Sequence, residues 1–225
     1  FFDSGSEFQD DLVLINILTR TSGRPNGFKK CRLSIENQTH QNVRHIVSYD
    51  TKEDLHYLKE YNIEKIRVKK KVLTKIPGLK RKTAGFKPYN LYCNKLLGKV
   101  RKGWILFLDD DDMLMHNRVL EELVEAIQSV DPETLLVWKT RYPDGRLLPN
   151  EEIFRKKTIE YKNIDTACFT FHASYRKIGK WDAYIGADYR FLSKISEVIP
   201  KQKWLPAVLT QKNNFGDNGS RNDII

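Results

Sequence analysis

Four consecutive aspartates, Asp109 to Asp112, directly follow the apolar run from Trp104 to Leu108. A short run of this kind predicts a strand buried on both faces, with the acids at its carboxyl end. In open α/β sheets, ligands bind at that end of the strands. Two carboxylates about 5 Å apart repel by roughly 3 kcal/mol at an effective dielectric constant near 20, so a buried group of four requires a cation or protons. The junction therefore predicts a divalent metal site in an α/β protein.

The acidic run has two other interpretations. In a solvated acidic turn, water lowers the same repulsion below about 1 kcal/mol per pair, so this alternative stays open. An EF-hand calcium loop needs oxygen ligands at its first, third and fifth positions and glycine at its sixth. Counted from Asp109, the fifth and sixth positions are Met113 and Leu114, which excludes the EF-hand. Mg²⁺ or Mn²⁺, held by carboxylates and shared with a phosphate ligand, remains.

Length and cysteine content favour one α/β domain without disulfides. The chain has 225 residues, enough for a core of its own. Its three cysteines are odd in number and lack metal-ligand spacing, which favours a reducing compartment and predicts a cytoplasmic location. No segment approaches the roughly 18 apolar residues of a membrane span. Residues 1–8 contain Gly5-Ser6-Glu7-Phe8 and resemble a cloning linker, so the predicted domain is 9–225.

The formal charge of +10 is concentrated in one segment, from Arg67 to Lys87. This basic segment holds nine lysines and arginines and no acid, and the rest of the chain carries 30 basic and 29 acidic residues. A solvated loop explains such a cluster, and a patch for a phosphorylated ligand, an acidic acceptor or a membrane surface is the alternative. Because Phe86 is the one aromatic residue within the cluster, stacking of bases is poorly supported and no nucleic-acid partner is expected.

Apolar patterns and turn signals predict alternating strands and helices, and hence a mostly parallel sheet. Strands are predicted at residues 12–18, 45–47, 63–68, 104–108 and 134–138. Helices are predicted from Pro25, after the capping box of Thr51 and Asp54, over 89–97, over 119–127 and from Ala187. The residues expected to face inward are Leu55 and Leu58 in the second of these helices and Phe191, Leu192 and Ile195 in the last. Tyr142 to Gly145 predicts a hairpin turn, and the segment from Gln211 onward is expected to be a flexible loop.

The order of these motifs resembles glycosyltransferase family 2, whose members have the GT-A fold. The resemblance covers about Leu12 to Ile195. Its motifs, in chain order, are the Thr/Arg-rich loop Thr19 to Pro25, the run Ser34-Ile35-Glu36-Asn37-Gln38-Thr39-His40 (SIxxQT(Y/H) in the family), Asp50, Asn94, Gly103 and LDDDDML as the DxD motif. A single DxD motif is a weak signal, and the ordered set is much stronger. The resemblance implies a single GT-A domain, with a donor nucleotide part at about 12–112, an acceptor part at about 113–210 and a tail at 211–225.

The resemblance also implies the residues that bind the donor and the metal. Asp111, with Asp109 and Asp112, would hold Mn²⁺ or Mg²⁺, which stabilises the departing diphosphate as a Lewis acid. The donor nucleotide would be bound by Thr19, Arg20, Arg24, Asp50, Asn94, Asp109 and Asp110. Other roles remain open for several of these residues: a solvent salt bridge for either arginine, a helix cap for Asp50, and a solvent-facing spacer for Asp110.

For the acceptor side, the resemblance points to Asp188 as the general base that deprotonates the acceptor hydroxyl. Ala187 stands where the family has glutamate, and capping of the helix is the alternative role of Asp188. Trp181 would stack on the acceptor sugar, or else pack in the core. His116 and His172 lack partners at metal-ligand spacing and are expected to be packed or exposed. Asn213 to Gly216 could close over the donor.

The predicted function is a metal-dependent glycosyltransferase that moves one sugar from a UDP-sugar to a glycan or another hydroxylated acceptor, with inversion. Transfer of a single sugar is implied because the QxxRW element of processive polymerases is absent. Two alternatives remain. A nucleotidyltransferase on a similar sheet would be expected to carry a glycine-rich phosphate loop after the first strand, where only Gly23 occurs. A noncatalytic module would use the basic segment to bind an acidic polymer.

Overall fold

The computed structural model describes residues 13–69 and 85–215, which form a curved nine-stranded sheet with helices on both faces. The strands are β1 (Ile15–Arg20), β2 (Val43–Tyr49), β3 (Glu64–Arg67), β4 (Trp104–Phe107), β5 (Asp112–Leu114), β6 (Thr134–Arg141), β7 (Leu147–Leu148), β8 (Phe169–His172) and β9 (Lys201–Lys212). The helices are α1 (Pro25–Glu36), α2 (Asp54–Leu58), α3 (Tyr92–Leu97), α4 (Val119–Gln128), α5 (Glu151–Lys156) and α6 (Ala187–Ser196), and Pro88–Leu91 and Ala173–Tyr175 are single 3-10 turns.

The sheet order is β3-β2-β1-β4-β8-β6-β9-β5, with β7 paired to β6. The first half is parallel, as the alternating strands and helices predict: β3, β2, β1 and β4 all run in one direction. The predicted α/β class is confirmed, but the whole sheet is mixed. Strand β8 enters between β4 and β6 antiparallel to both, and β5 is antiparallel to β9. An apolar strand inserted in this direction has the same sequence pattern as a parallel one, which is why the pattern did not reveal it.

Residues of β4 alternate between two cores, one on each face of the sheet. Trp104 and Leu106 pack with α1 and α4, whereas Ile105 and Phe107 pack with α3 and α6. All four side chains of β4 are buried. Burial on both faces explains the uninterrupted apolar run in the sequence, and it fixes where the acids that follow emerge from the sheet.

Several local predictions are confirmed at the level of individual contacts. The capping box before α2 is reciprocal: the Thr51 backbone N–H donates to Asp54 Oδ2 (3.0 Å), and the Asp54 N–H donates to Thr51 Oγ1 (3.2 Å). The hairpin turn joins β6 to β7, and Phe191, Leu192 and Ile195 of α6 are buried.

Two local predictions are wrong. Leu55 is 36% exposed, because α2 is a helix of five residues that buries one side only. The predicted tail starts too early: Gln211 and Lys212 belong to β9, and Asn213 is buried. Residues 1–12, most of the basic segment (70–84) and 216–225 lie outside the described residues.

Gly103 lies at the entrance to β4, where a side chain cannot be accommodated. Its φ of +84° falls in the left-handed region, and a Cβ there would lie 2.5 Å from the carbonyl oxygen of Leu14. We therefore expect Gly103→Ala to lower the free energy of unfolding by about 3 kcal/mol or more, measured by urea denaturation. Gly145→Ala is the matched control, because Gly145 has the same φ and nothing within 4 Å of its Cβ position. It should lose about 1 kcal/mol, the conformational part alone. Equal losses would contradict the role of the Leu14 contact.

Candidate active site

A cavity of about 480 Å³ opens at the carboxyl ends of β1, β2 and β4. Its wall combines the turn between β1 and α1, the end of β2, the acidic loop Asp109–Asp112, the start of α6 and the end of β9. The charged residues that line it are Arg20, Arg24, Asp50, Lys87, Asp109, Asp111, Asp165, Asp188 and Lys212. Asp109 and Asp111 of the acidic loop thus line the cavity at the predicted end of the sheet, whereas Asp110 and Asp112 are fully buried and do not line it.

Arg20 holds Asp109 in a bidentate ion pair. Its Nε donates to Asp109 Oδ1 (2.8 Å) and its Nη2 pairs with Asp109 Oδ2. The remaining Nη1 donates to Asn90 Oδ1 (2.9 Å), so the guanidinium is held on both sides. Burial acts to raise the pKa of Asp109, but the Arg20 charge outweighs it and the pKa lies below its ordinary value. Asp109 is therefore a fixed carboxylate at the base of the cavity.

Arg24 bridges the next two acids. Its Nη2 lies 3.1 Å from Asp110 Oδ1, and its Nη1 lies 3.7 Å from Asp111 Oδ2. Asp110 is fully buried, so the expectation of a solvent-facing spacer is wrong. Burial raises the pKa of Asp110 to about 8, although Arg24 opposes the shift. Asp111 has a side chain 14% exposed and is the member of the run most open to the cavity.

Lys212, at the end of β9, neutralises the fourth acid. Its Nζ lies 2.6 Å from Asp112 Oδ1 and 3.3 Å from Asp165 Oδ2, and all three side chains are buried. The Tyr142 hydroxyl donates to Asp165 Oδ2 (2.5 Å). Sequence reasoning missed Lys212, Asp165 and Tyr142. A lysine in an apparent loop and an aspartate far from any motif carry no local signal. The pairing of β9 with β5 brings Lys212 beside Asp112, and the pairing of β9 with β6 brings Tyr142 and the Asp165 that it bonds to the same place.

Removing the Lys212 charge should be costly, because it leaves Asp112 and Asp165 buried without their cation. We expect Lys212→Met to lower the free energy of unfolding by about 3–5 kcal/mol, measured by urea denaturation at neutral pH. Lys201→Met is the matched control: Lys201 lies on the same strand, but its ion pair with Asp131 is exposed. That variant should unfold at nearly the wild-type urea concentration. Similar effects in the two variants would contradict the assigned role of Lys212.

The acidic loop fits a divalent cation. Asp109, Asp111 and Asp112 can each offer an oxygen such that these atoms lie within 4.8 Å of one another. The loop and Asp165 together carry five carboxylates, whereas in the described chain three cations pair with them: Arg20, Arg24 and Lys212. An excess of carboxylate oxygens suits hard cations such as Mg²⁺ and Mn²⁺. Because Asp109 and Asp112 already hold side-chain cations, Asp111 is the least committed of the three.

Of the three remaining residues predicted to bind the donor, one lines the cavity and two do not. Asp50 lines the cavity and accepts hydrogen bonds from Ser22 Oγ (2.7 Å) and the Tyr92 hydroxyl (2.9 Å). Thr19 lies behind it, fully buried, where its Oγ1 donates to the Leu108 carbonyl (2.6 Å). Asn94 does not line it either: its amide bonds both the N–H and the C=O of Trp181. Thr19 and Asn94 therefore support the wall instead of facing a ligand.

The acceptor-side candidates meet at the start of α6. Asp188 lines the cavity, and its Oδ1 accepts a hydrogen bond from the Tyr189 N–H (2.8 Å). Burial is the main cause that raises the pKa of Asp188 to about 6. Trp181 is 2% exposed and packs on Phe107 and Phe191, with its ring 5.6 Å from the Arg20 guanidinium. It is a core residue that lines the cavity as well. His116 and His172 lie outside it.

Asn213 fastens the acidic loop to the first helix. Its Nδ2 donates to the carbonyls of Asp110 (2.8 Å) and Gly27 (3.1 Å), and its backbone N–H donates to the Asp111 carbonyl (2.7 Å). Residues 213–216 were predicted to close over the donor, but the side chain of Asn213 is buried and does not do so. Together with Lys212 it makes the end of β9 part of the site.

Comparison with solved structures identifies the fold. TarS of S. aureus superposes with a TM-score of 0.65 at 14% identity, covering 88% of this chain and 36% of TarS. Residues 1–349 of TarS in complex with UDP give a TM-score of 0.63 at 15% identity, covering 88% of this chain and 60% of the other. The mannosyltransferase PcManGT from Pyrobaculum calidifontis, in complex with GDP-Man and Mn²⁺, gives 0.62 at 13% identity, covering 90% and 57%. The predicted GT-A fold is confirmed.

In comparisons of sequence, no family model and no curated protein matches the chain. The chain spans between about a third and three fifths of the length of these structural relatives. Among the described residues, no helix is long and apolar enough to cross a membrane.

Proposed function

We propose that this chain is a metal-dependent glycosyltransferase domain that transfers one sugar from a UDP-sugar to a hydroxyl of a glycan or another acceptor, with inversion. The observation that carries the proposal is one cavity in which cationic side chains, a carboxylate cluster suited to a divalent ion and a partly buried aspartate of raised pKa face one another. The fold supports it, since TarS has been solved with UDP and UDP-GlcNAc and PcManGT with GDP-Man and Mn²⁺.

The donor would lie against the first half of the chain. Asp50, at the end of β2, can accept hydrogen bonds from the ribose hydroxyls, while Arg20 and Arg24 supply positive charge for the diphosphate. Asp109, Asp111 and Asp112 would hold Mn²⁺ or Mg²⁺, which neutralises charge on the leaving diphosphate. Lys212 adds a fixed positive charge beside them. These assignments make residues 12–112, with the end of β9, the donor part.

The acceptor would enter from the side of α6, within residues 113–210. Inversion requires the acceptor hydroxyl to attack the anomeric carbon from the face opposite the diphosphate, with loss of its proton to a nearby base. Asp188 is our candidate for that base, since its carboxylate lines the cavity and pairs with no arginine or lysine among the described residues. A carboxylate with a pKa near 6 is a stronger base than an ordinary aspartate and is still ionised at neutral pH.

Thermal unfolding with a panel of nucleotides tests the proposal. At 100 times its dissociation constant, a ligand stabilises the folded state by about 2.7 kcal/mol, which corresponds to roughly 5–10 °C for a chain of this size. We expect UDP with Mn²⁺ to produce this shift, with smaller shifts for CDP, ADP and GDP. Chelation of the metal should remove most of it. UDP-sugars supplied with Mn²⁺ should also be hydrolysed slowly in the absence of acceptor.

Two outcomes would overturn the proposal. If no nucleoside diphosphate stabilises the protein with or without metal, the cavity does not bind a sugar donor. If nucleoside triphosphates and a sugar phosphate give inorganic pyrophosphate, the chain is a nucleotidyltransferase.

A further inference from the structure

A second cavity lies on the outer side of α3, separate from the candidate active site. It is a groove of about 650 Å³ between the end of α3 and the segment that follows the 3-10 turn Ala173–Tyr175. The charged residues that line it are Arg101, Arg176, Lys177 and Lys180. Of the residues that the structure describes, no acidic one lines the groove, and its floor is Leu97, Gly98 and Gly179. We call it the basic groove.

The positive charge of the basic groove comes from two segments far apart in the sequence. Residues 95–102 contain four basic residues and residues 176–180 contain three, and neither segment contains an acid. This cluster is distinct from the basic segment at 67–87. Folding brings the two segments together, although each adds like charge to the other. Such a concentration of one sign of charge attracts ligands of the opposite sign.

Within the described residues, none of the four lining cations forms an ion pair. Arg101 Nη1 donates to the Gly98 carbonyl (2.8 Å), and Arg176 Nη1 donates to the Ala173 carbonyl (3.1 Å). These bonds orient the two guanidinium groups and leave their other N–H groups available. Lys177 and Lys180 are exposed. The basic groove thus presents oriented arginines beside exposed lysines, an arrangement suited to phosphate groups.

The shape and composition of the groove narrow the ligand class. In the described parts of the chain, 13–69 and 85–215, no aromatic side chain lines the groove, so bases have no stacking platform there and a nucleic acid is disfavoured. Its concave form does not match a flat membrane surface, and Ile178 is the one exposed large apolar residue within residues 176–180. We infer that the basic groove is a binding site for an extended polymer that carries phosphate groups along its backbone and has no bases.

The basic groove lies near the active-site cavity but does not open into it. Helix α3 connects the two: its first residue, Tyr92, bonds Asp50 in the cavity, and its last residue, Leu97, lies on the groove floor. Six residues of α-helix span about 9 Å. Asn94, in the middle of α3, lines the groove and bonds the backbone of Trp181, which lines the cavity. Because the groove and the cavity are separate, binding in the groove can be measured without donor, metal or acceptor. The result of that measurement does not depend on whether the proposed function is correct.

The test is direct binding of fluorescently labelled inorganic polyphosphate to the full chain across a salt series. Four cationic contacts predict a slope of log affinity against log salt of about −3 by the scaling for flexible single strands. We expect Lys177→Glu/Lys180→Glu to weaken binding at least tenfold and to reduce the slope by about 1 or more. Lys52→Glu/Lys59→Glu is the matched control, with the same charge change at exposed positions that line neither cavity. It should lower affinity less than threefold.

Arg176→Gln provides a second variant, which keeps a hydrogen-bond donor and removes one charge. It should weaken binding about threefold or more, and thermal unfolding checks that both groove variants are folded. Equal losses in groove and control variants would overturn the inference, since the binding would then reflect net charge and the basic segment. Tighter binding of an oligothymidylate of equal charge would point to a nucleic acid. Groove variants that lose affinity for acidic phospholipid vesicles but not for polyphosphate would point to a membrane.

Discussion

Asp188→Asn should lower the rate of sugar transfer by about 10³-fold and raise the unfolding temperature of the protein. The loss of rate follows from the proposed role of Asp188 as general base, since such a base contributes about 10²–10⁴-fold. The stability gain follows from the raised pKa. Asparagine keeps an oxygen that can accept the hydrogen bond from Tyr189, while the cost of a partly buried negative charge disappears.

Through Asp188, the stability of the folded chain should depend on pH. Burial raises the pKa of Asp188 to about 6 from an ordinary value of 3.8. The folded state thus holds this proton more tightly than the unfolded chain, and Asp188 lowers stability increasingly as pH rises from about 4 to 6, with its full cost above that range. The stabilising effect of Asp188→Asn should therefore be present at pH 7 and vanish near pH 4. Its size should be about 3 kcal/mol, or about 6–12 °C, since one pKa unit corresponds to about 1.4 kcal/mol.

The transfer rate should depend on pH in the opposite sense. A general base works in its ionised form, so kcat/KM of the wild-type chain should fall about tenfold per pH unit below about pH 6. Asp182→Asn serves as the control, because Asp182 lies nearby but pairs with Arg190 at the surface and does not line the cavity. A variant Asp188→Asn that retains more than a tenth of the wild-type rate would show that the base lies elsewhere, or that transfer retains the anomeric configuration.

Asp111→Asn should abolish Mn²⁺-dependent donor turnover, with an expected loss of about 10³-fold or more, while the fold stays intact. Asp111 is the member of the acidic loop that is most open to the cavity and least engaged by side-chain cations. Removing its charge leaves Asp109, held by Arg20, and Asp112, held by Lys212, as the remaining ligands. Metal affinity depends on charged oxygen ligands, so the variant should lose the part of the UDP thermal shift that requires Mn²⁺.

Asp144→Asn is the matched control for Asp111→Asn, since Asp144 is an exposed residue of the β6–β7 hairpin. It should leave turnover and the metal-dependent shift unchanged. Full activity of Asp111→Asn, or of the wild-type chain in excess chelator, would reject the proposed metal role. In that case Arg20, Arg24 and Lys212 would be left as the positive charge that faces the diphosphate.

The parts of the fold that were predictable from the sequence are those governed by local rules. Pro25 begins α1, Thr51 and Asp54 cap α2, and the apolar face of α6 points into the core. Each of these features depends on residues a few positions apart in the sequence, so the residues that form the sequence pattern are the same residues that make the contact. The acidic loop was located for a similar reason, because a strand buried on both faces fixes where its next residue emerges.

The parts that were missed depend on which strands become neighbours. The sequence predicted a metal that would neutralise four adjacent carboxylates, whereas three side-chain cations, from β1, the next turn and β9, already pair with all four of them. Arg20 and Arg24 lie at the end of the first strand and in the loop after it, where the sequence predicted ligands of the nucleotide. Lys212 and Asp165 could not be identified, because their place is set by the pairing of β9 with β5 and β6.

The Asn213 contacts have a consequence for how the site comes into being. Through one side-chain amide group, Asn213 bonds Gly27, 186 positions earlier in the chain, and Asp110, 103 positions earlier. During synthesis on the ribosome, the acidic loop and α1 emerge long before the residue that ties them together. Contacts of such long range form slowly, because loop closure must precede them. A chain that lacks the end of β9 lacks these contacts and therefore a finished cleft, so we expect binding competence only after β9 has been added.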